Sequence, residues 1–170
     1  MDGGSAEFAQ HIPRLRRYAR ALTGDRSRAD DLVQDTLERA LVKFHLWRQG
    51  TDLRAWLFTI MHNVYVNQVR ANASAAVSAL DDEATQFGIR ATQSDRLEVL
   101  DLEAALARLP QEQREVLLLV GLEQMTYEES AGVLNVPIGT VMSRLSRGRE
   151  KLRALLKGEA LASSGLKVVK

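Results

Sequence analysis

Six basic side chains lie within the twenty residues from 138 to 157, where Glu150 is the one acidic residue. They are Arg144, Arg147, Arg149, Lys151, Arg153 and Lys157. Such a cluster can pair with phosphates, and arginine can also bond guanine through two parallel hydrogen bonds. The net charge of the whole chain is only +1, because residues 97–129 carry eight acidic groups against two basic ones and offset the basic cluster. A solvated helix face is the simpler alternative, and charge alone does not separate the two interpretations.

Local signals around the basic cluster predict a helix-turn-helix. Thr126 and Glu129 have the spacing of a capping box, which begins a short helix. Asn135 tolerates a left-handed backbone and Pro137 favours the start of another helix, so a tight turn should separate the two helices. Apolar spacing predicts inward-facing side chains on both helices, namely Tyr127, Ala131 and Leu134, then Val141, Leu145 and Leu152. The basic cluster therefore lies on the longer, second helix.

The second helix of this motif has the shape and chemistry to enter the major groove of DNA. An α-helix fits that groove, and the residues near its N-terminus meet base edges. The predicted base contacts are Thr140, Ser143, Arg144 and Arg147, and Arg149 is a predicted phosphate contact. Gly148 lies in the same helix and is expected to loosen it locally, since glycine costs about 1 kcal/mol in a helix interior.

The first 72 residues also have helical apolar spacing, and no alternating strand pattern is evident. One helix is predicted through Leu15, Tyr18 and Leu22, ending near Gly24. A second helix has an apolar face made of Leu32, Val33, Thr36, Leu37, Ala40, Leu41 and Phe44, and a polar face made of Asp31, Gln34, Asp35 and Glu38. A third, with Thr51 as its predicted N-cap, has an apolar face made of Leu53, Trp56, Leu57, Ile60, Met61 and Val64.

The pattern predicts an all-α fold of two small helical domains joined by a flexible linker. The predicted divisions are a first domain at 1–72, a linker at 73–96, a second domain at 97–160 and a flexible tail at 161–170. The linker segment is rich in small and polar residues and has weak periodicity. Domains of this size should move relative to each other unless a partner fixes them.

The composition argues against several other classes of protein. The chain has no cysteine, which excludes disulfides and thiolate metal sites. No apolar run of about 18 residues predicts a membrane span, and residues 1–10 lack the features of a signal peptide, so a cytoplasmic protein is expected. His11, His45 and His62 lack metal-ligand spacing, and no nucleotide-binding or nucleophile motif occurs. We therefore expect no metal, no cofactor, no catalytic residue and no enzymatic activity.

The C-terminal motif carries a family resemblance. Residues 126–131 and 136–149 resemble the fourth conserved region of extracytoplasmic-function (ECF) sigma factors, and residues 109–116 resemble the helix that precedes that region. The resemblance implies that this domain binds the −35 promoter element and the flap of the RNA polymerase β subunit. Met142 stands where many members of the family carry a lysine or arginine that touches DNA, which implies a different −35 preference.

The N-terminal helices resemble the second conserved region of the same family. Residues 28–40 resemble its docking helix, which implies that Asp31, Gln34, Asp35 and Glu38 bind the clamp helices of the polymerase β′ subunit. Residues 53–64 resemble its −10-reading helix. The implied −10 contacts are Trp47, Arg48, Thr51 and Asn63, with Arg54 and Arg70 as phosphate contacts. A base that leaves the stack needs an apolar surface and a hydrogen-bonding edge, and asparagine offers both donor and acceptor.

Both blocks together predict an alternative sigma factor of the small, stress- or signal-responsive class. Its implied partners are RNA polymerase core, promoter DNA and an anti-sigma factor that clamps or wedges between the two domains. Two other classes stay open. A sigma-like decoy that titrates an anti-sigma protein would not need the arginines of the recognition helix. A generic helix-turn-helix regulator would need a sensor pocket or dimerisation heptads, and neither is evident.

Overall fold

The computed structural model describes residues 3–78 and 94–163 of the 170-residue chain, and the regular structure in these ranges is helical. The eight α-helices of the described residues are α1 (Gly3–Ala9), α2 (Ile12–Thr23), α3 (Arg26–Lys43), α4 (Leu53–Ser78), α5 (Ser94–Ala107), α6 (Gln111–Leu117), α7 (Tyr127–Leu134) and α8 (Ile138–Ser163). A 3-10 turn at Phe44–Leu46 follows α3, and a π-helical turn at Leu118–Leu122 follows α6. The all-α prediction is confirmed. None of the helices in the described part is long and apolar enough to cross a bilayer.

Helices α1 to α4 form an N-terminal unit around α2, whose Leu15, Tyr18 and Leu22 are buried. The Tyr18 ring meets the buried Phe58 ring edge-on, with ring centroids 5.0 Å apart. As predicted, α2 ends at Gly24, which has a φ of 69° and donates its N–H to the Arg20 carbonyl. A left-handed residue of this kind closes a helix most readily when it is glycine.

Two details of this unit differ from the sequence predictions. Asp52, and not Thr51, caps α4, because its carboxylate accepts the backbone N–H of Arg54 at 3.0 Å. The Thr51 hydroxyl instead donates to the Arg48 carbonyl at 2.7 Å, which closes the preceding loop. Leu41, assigned to the apolar face of α3, is exposed. The rest of the predicted face is buried or half-buried, including Phe44 beyond it.

Helices α5 to α8 form a C-terminal unit that contains the predicted helix-turn-helix. Thr126 accepts the Glu129 N–H, and the Glu129 carboxylate accepts the Thr126 N–H, so both bonds of the capping box are present. Asn135 ends α7 in the left-handed conformation, with φ 54° and ψ 50°, and α8 begins three residues later at Ile138. The predicted inward position of Tyr127 is wrong. Its ring is exposed beside α8, because the first residue of α7 projects past the core.

Gly148 lies where α8 packs against α6. A Cβ added there would lie 3.0 Å from Leu117 Cδ1 and 3.3 Å from Gln113 Cβ. The glycine is buried, and its missing side chain lets the two helix backbones approach. The residue expected to loosen α8 therefore also serves its packing against α6.

Helices occupy both ends of the predicted linker at 73–96. Helix α4 continues to Ser78 and α5 begins at Ser94, so both of the predicted boundaries fall within or beside helices. The remaining linker residues, 79–93, lie outside the described ranges. The predicted tail begins at 161, whereas α8 continues to Ser163, and residues 164–170 again lie outside the described ranges.

The two units pack directly against each other, and their buried apolar side chains form one connected cluster. Helix α4 lies against α7, and α2 lies against α5 and the π turn. Arg114 of α6 joins the units through its guanidinium, which donates to the Leu22 carbonyl of α2 at 3.0 Å. The same guanidinium donates to the carbonyls of Leu106, Ala107 and Leu109. One arginine thus ties α2 to the α5–α6 corner.

Candidate nucleic-acid and polymerase interfaces

The recognition helix α8 presents part of the predicted −35 contact set outward. Ser143, Arg147 and Arg149 are exposed, and the Ser143 hydroxyl donates to the Thr140 carbonyl one turn earlier at 3.1 Å. Thr140 is half-buried. Arg144 turns toward α6, where its guanidinium lies 3.6 Å from the Glu112 carboxylate and its side chain is 25% exposed. The structure therefore exposes Ser143 and Arg147 together on α8 and turns Arg144 away from them.

Apolar side chains border this basic face. Met142 is 52% exposed, and Ile138 and Tyr127 are also exposed. Tyr127, Met142, Arg149 and Arg153 line a shallow open depression beside α8. Apolar side chains on a recognition helix can contact the methyl group of thymine. The face is therefore mixed in chemistry, with arginines next to large apolar groups.

The loop before α4 places the predicted −10 residues unequally. The Trp47 ring stacks on Phe44, with centroids 5.5 Å apart and planes 22° apart. Its indole Nε1 is buried and has no hydrogen-bond partner among the described residues. Arg48 and Thr51 are exposed and close the loop through the bond between them. An aromatic ring with an unused donor thus lies at the start of the predicted base-binding segment.

Asn63 and Arg70 are both exposed on the long helix α4. Asn63 lies three turns into α4 and is open to solvent, as a base-contacting amide would need to be. Trp56, expected in the core, is half-buried and stacks against Phe8 of α1 with centroids 6.4 Å apart. Asn63 is therefore available to a ligand, whereas Trp56 is occupied in packing.

Arg54, a predicted phosphate contact, is engaged within the chain. Its Nη1 donates to the Glu123 carbonyl oxygen at 3.0 Å, and its Nη2 donates to the Glu129 carboxylate at 3.4 Å. The side chain is 19% exposed. Both acceptors belong to the C-terminal unit. In this arrangement the guanidinium of Arg54 faces α7 and the residue after the π turn.

Two buried carboxylates of the C-terminal unit face the N-terminal unit. The Glu115 carboxylate, with its side chain 4% exposed, lies 2.6 Å from His62 Nδ1 of α4. The Glu123 side chain is 0% exposed, and its Oε1 accepts from Arg17 of α2 at 3.2 Å, whereas its Oε2 has no partner among the described residues. Buried carboxylates are costly unless paired, so these two depend on the opposite unit.

Two tyrosines near these buried carboxylates have raised pKa values. Burial raises the pKa of Tyr18 well above its usual value, and the nearby Glu115 carboxylate adds to the rise. Burial likewise raises the pKa of Tyr65, against an opposing effect of the Arg114 guanidinium. Both phenols therefore stay neutral at physiological pH, beside a carboxylate that would disfavour their ionised forms.

The π turn positions Glu123. The Glu123 N–H bonds to the Leu118 carbonyl, five residues back, at 3.0 Å, and Gln124 follows with a positive φ of 56°. The wide turn ends α6 and aims both the side chain and the carbonyl of Glu123 at arginines of the N-terminal unit. Turns of this type occur often at functional positions in helices.

The polar face of α3 carries the predicted polymerase-docking set. Asp31, Gln34 and Glu38 are exposed, and the Gln34 amide donates to the Glu38 carboxylate at 3.3 Å. Asp35 is half-buried because it accepts a hydrogen bond from Gln68 of α4 at 2.8 Å. A groove between α2 and α3 runs beside this face, with arginines on one side and Leu37 and Leu41 on the other.

The residues that join the two units were missed by the sequence reasoning. They include Arg17, His62, Glu115, Glu123 and Glu129, of which Glu129 was singled out only as part of a cap and His62 only for its lack of metal-ligand spacing. A signal does exist. Glu115 and Glu123 flank the uncharged run 116–122, and an acid beside such a run is expected to be partly buried and to need a partner.

Comparison with known proteins finds a matching family profile for each unit. A family profile described as the Sigma2 domain of PhyR matches residues 8–62, and one described as Sigma-70, region 4 matches residues 100–152. The ECF RNA polymerase sigma factor EcfG of Rhodopseudomonas palustris is 41% identical over 85% of this chain and 80% of that protein.

Solved structures agree in fold. The sigma factor RpoE from Bartonella quintana, solved in complex with the anti-sigma factor NepR, is 34% identical over 92% of this chain and 98% of that chain, with a TM-score of 0.83. The anti-anti-sigma factor PhyR of the same organism, also solved with NepR, has a TM-score of 0.60 at 18% identity and is covered over 48% of its length, which shows the fold alone. The chain belongs to the ECF family of RNA polymerase sigma factors.

Proposed function

We propose that this protein binds RNA polymerase core and directs it to promoters through two separate DNA contacts. Helix α8 contacts the −35 element as duplex, and α4 with its preceding loop contacts the melted −10 strand. The observation that carries the proposal is a capped helix-turn-helix whose Ser143, Arg147 and Arg149 are exposed, in one chain with an exposed Asn63 on the −10-type helix. The chain contributes binding energy, and the polymerase contributes the chemistry.

The −35 contact is assigned to Thr140, Ser143, Arg144, Arg147 and Arg149. Arg147 and Ser143 are exposed and support direct base contact. Arg144 must leave Glu112 before it reaches DNA, and a surface pair at 3.6 Å is weak enough to exchange for a phosphate or base. Met142 adds an apolar contact in place of a cation at that position.

The −10 contact is assigned to Trp47, Arg48, Thr51, Arg54, Asn63 and Arg70. The stacked Trp47 with its unpartnered Nε1 and the exposed Asn63 supply the aromatic surface and the hydrogen-bonding edge that a flipped base requires. Arg70 supplies a cation farther along α4. Arg54 can join this set only after it leaves Glu123 and Glu129.

Polymerase docking is assigned to Asp31, Gln34, Asp35 and Glu38 on α3, which would meet the β′ clamp helices, while the C-terminal unit meets the β flap. Charge complementarity at such a surface governs association rate and specificity. Because Asp35 is held by Gln68, the exposed acids Asp31 and Glu38 are the more direct contacts. Substitution of Asp31 by lysine should weaken core binding and leave duplex binding by α8 unchanged.

An anti-sigma factor is the proposed regulator, with the free protein in the cytoplasm. The similar sigma factor RpoE was solved in complex with NepR, which supports a partner of this kind for the present chain. A sigma-like decoy has a specific observation in its favour, since the profile matching residues 8–62 is described from PhyR. The decoy alternative predicts binding to an anti-sigma factor without binding to core polymerase.

Run-off transcription with bacterial core polymerase on a genomic promoter library tests the proposal. Specific transcripts that depend on this protein are expected, and their absence together with a lack of core binding would favour the decoy. Asn63→Ala should weaken promoter opening in permanganate footprints with little loss of core binding. Asn72→Ala, at an exposed position nine residues later in α4, is the matched control and should leave promoter opening intact.

A further inference from the structure

Large apolar side chains are exposed around the first two turns of the recognition helix. Met142 is 52% exposed and Ile138 is 45% exposed. They are four residues apart in α8, so their side chains are neighbours on one side of the helix. Tyr127 of α7 is also exposed and lines the same open depression as Met142. We call Tyr127, Ile138 and Met142 the apolar patch, and contiguous apolar exposure of this kind is typical of a surface that a ligand covers.

The apolar patch borders the side of α8 that faces away from the protein core. Val141 and Leu145 are buried and point into the core. At about 100° per residue, Ser143 projects in the opposite direction, with Arg147 about 40° to one side of it and Met142 about 100° to the other. A helix with its side chains is about 10–12 Å across and the major groove is about 12 Å wide, so a seated helix meets DNA on its flanks as well as in front. Met142 therefore lies within reach of the bases when Ser143 and Arg147 enter the groove.

Charge around the apolar patch favours DNA over a protein as its occupant. Arg149 and Arg153 line the same depression as Met142, with Glu150 as the one acid among the lining residues. Residues 138–157 as a whole carry six basic groups against that one acid. Phosphates border the groove and match such a rim, and the base edges between them carry one apolar group, the C5 methyl of thymine. The apolar patch thus fits a thymine better than it fits an uncharged apolar helix of another protein.

We propose that Met142 reads the C5 methyl group of a thymine in the −35 element, with Ile138 beside it and with Ser143 and Arg147 on polar atoms of neighbouring base pairs. The proposal rests on the function proposed above and adds to it the class of base that the apolar patch selects. A thioether is flexible and offers no hydrogen-bond donor. Packing it against the exocyclic amine of cytosine or adenine would leave that amine without a partner, whereas the thymine methyl needs none.

The test uses a base analogue in a promoter that the run-off experiment identifies. Deoxyuridine lacks only the C5 methyl of thymidine and keeps its hydrogen-bonding groups. Each thymine of the −35 element, on either strand, is replaced singly, and the affinity of polymerase loaded with this protein is measured by competition gel shift. We expect one position at which the replacement weakens binding about fourfold, the effect of one lost buried methyl group. A −35 element without thymine on either strand, or one in which no replacement weakens binding, would overturn the proposal.

Three variants test whether Met142 makes that methyl contact. Met142→Ala should bind the thymine promoter about as weakly as the parent binds the deoxyuridine promoter, and should lose the preference for thymine at that position. Met142→Leu keeps a flexible apolar side chain and should keep the preference. The matched control is Leu102→Ala, at an exposed apolar residue of α5, which should equal the parent in both affinity and preference.

Two further outcomes separate this proposal from its alternatives. The affinity for core polymerase without DNA, measured by fluorescence anisotropy, should be equal in the parent and the three variants, and a loss confined to Met142→Ala would identify the apolar patch as a polymerase contact instead. If the parent binds no promoter together with polymerase, the proposed function itself fails. An undiminished preference for thymine in Met142→Ala would refute this inference alone, because another residue would then read the methyl group.

Discussion

Replacing Gly148 with alanine tests how closely the recognition helix packs on α6. The new Cβ would lie 3.0 Å from Leu117 Cδ1, and 3.3 Å from both Gln113 Cβ and Leu117 Cγ. The leucine methyl can rotate away, but Gln113 Cβ and Leu117 Cγ are close to the backbone and yield less. The substitution therefore forces a small separation of α6 and α8.

Two opposing energies decide the outcome. Alanine is favoured over glycine in a helix interior by about 1 kcal/mol. Overpacking of a fitted contact costs about 1–3 kcal/mol, and the mixture of one flexible and two stiff neighbours suggests about 2 kcal/mol here. The expected result is a net loss of about 1 kcal/mol. For a chain of this length, that lowers Tm by roughly 2–4 °C.

Gly132→Ala is the matched control, because Gly132 lies in α7, is exposed and has nothing within 4 Å of its added Cβ. It should gain up to about 1 kcal/mol from helix propensity alone. Urea unfolding followed by circular dichroism measures both variants against the parent. If Gly148→Ala proves as stabilising as Gly132→Ala, the close approach of α6 and α8 is not a feature of the folded protein.

Three further predictions concern the recognition helix, the capping box before α7 and the buried Tyr18. Arg147→Ala should cost about 1–3 kcal/mol in binding to a cognate −35 duplex, and an equal loss on scrambled DNA would reassign Arg147 to a phosphate. Thr126→Ala should cost about 1 kcal/mol of unfolding free energy through loss of the capping box, whereas Thr126→Ser should stay near the parent. Burial raises the pKa of Tyr18 above its usual 10.0, so above pH 10 the unfolded chain releases a proton that the native chain keeps, and stability should fall with rising pH. Tyr18→Phe should flatten that alkaline fall in a pH series of unfolding curves; an unchanged slope would assign it to other groups.

Short-range features of the fold were predictable because each depends on a few neighbouring residues. The capping box at Thr126, the left-handed Asn135 and the glycine end of α2 all appear where the sequence indicates. The cap of α4 was not predictable, since Thr51 and Asp52 are both good capping residues and only the loop geometry chooses between them. Tyr127 was misplaced because helical periodicity loses meaning at the first residue of a short helix.

The contacts between the units could not be read from periodicity. Arg17 and Glu123 are 106 positions apart, and His62 and Glu115 are 53 apart. No local pattern specifies such pairs, and a glutamate in a helix is ordinarily solvated. Recognition of the family supplied the helices to which the DNA and polymerase contacts are assigned. It did not indicate that Arg54, assigned to a phosphate, is held by a carbonyl of its own chain.

The π turn after α6 amounts to a single inserted residue. Without it, for instance after loss of the exposed Gly121, the helix would continue as an ordinary α-helix and every later side chain would rotate by about 100°. Glu123 would then turn away from Arg17 and Arg54, while the capping box and recognition helix downstream would keep their own local structure. A one-codon deletion at this point is therefore a simple evolutionary route to abolish the contacts of Glu123 with the N-terminal unit.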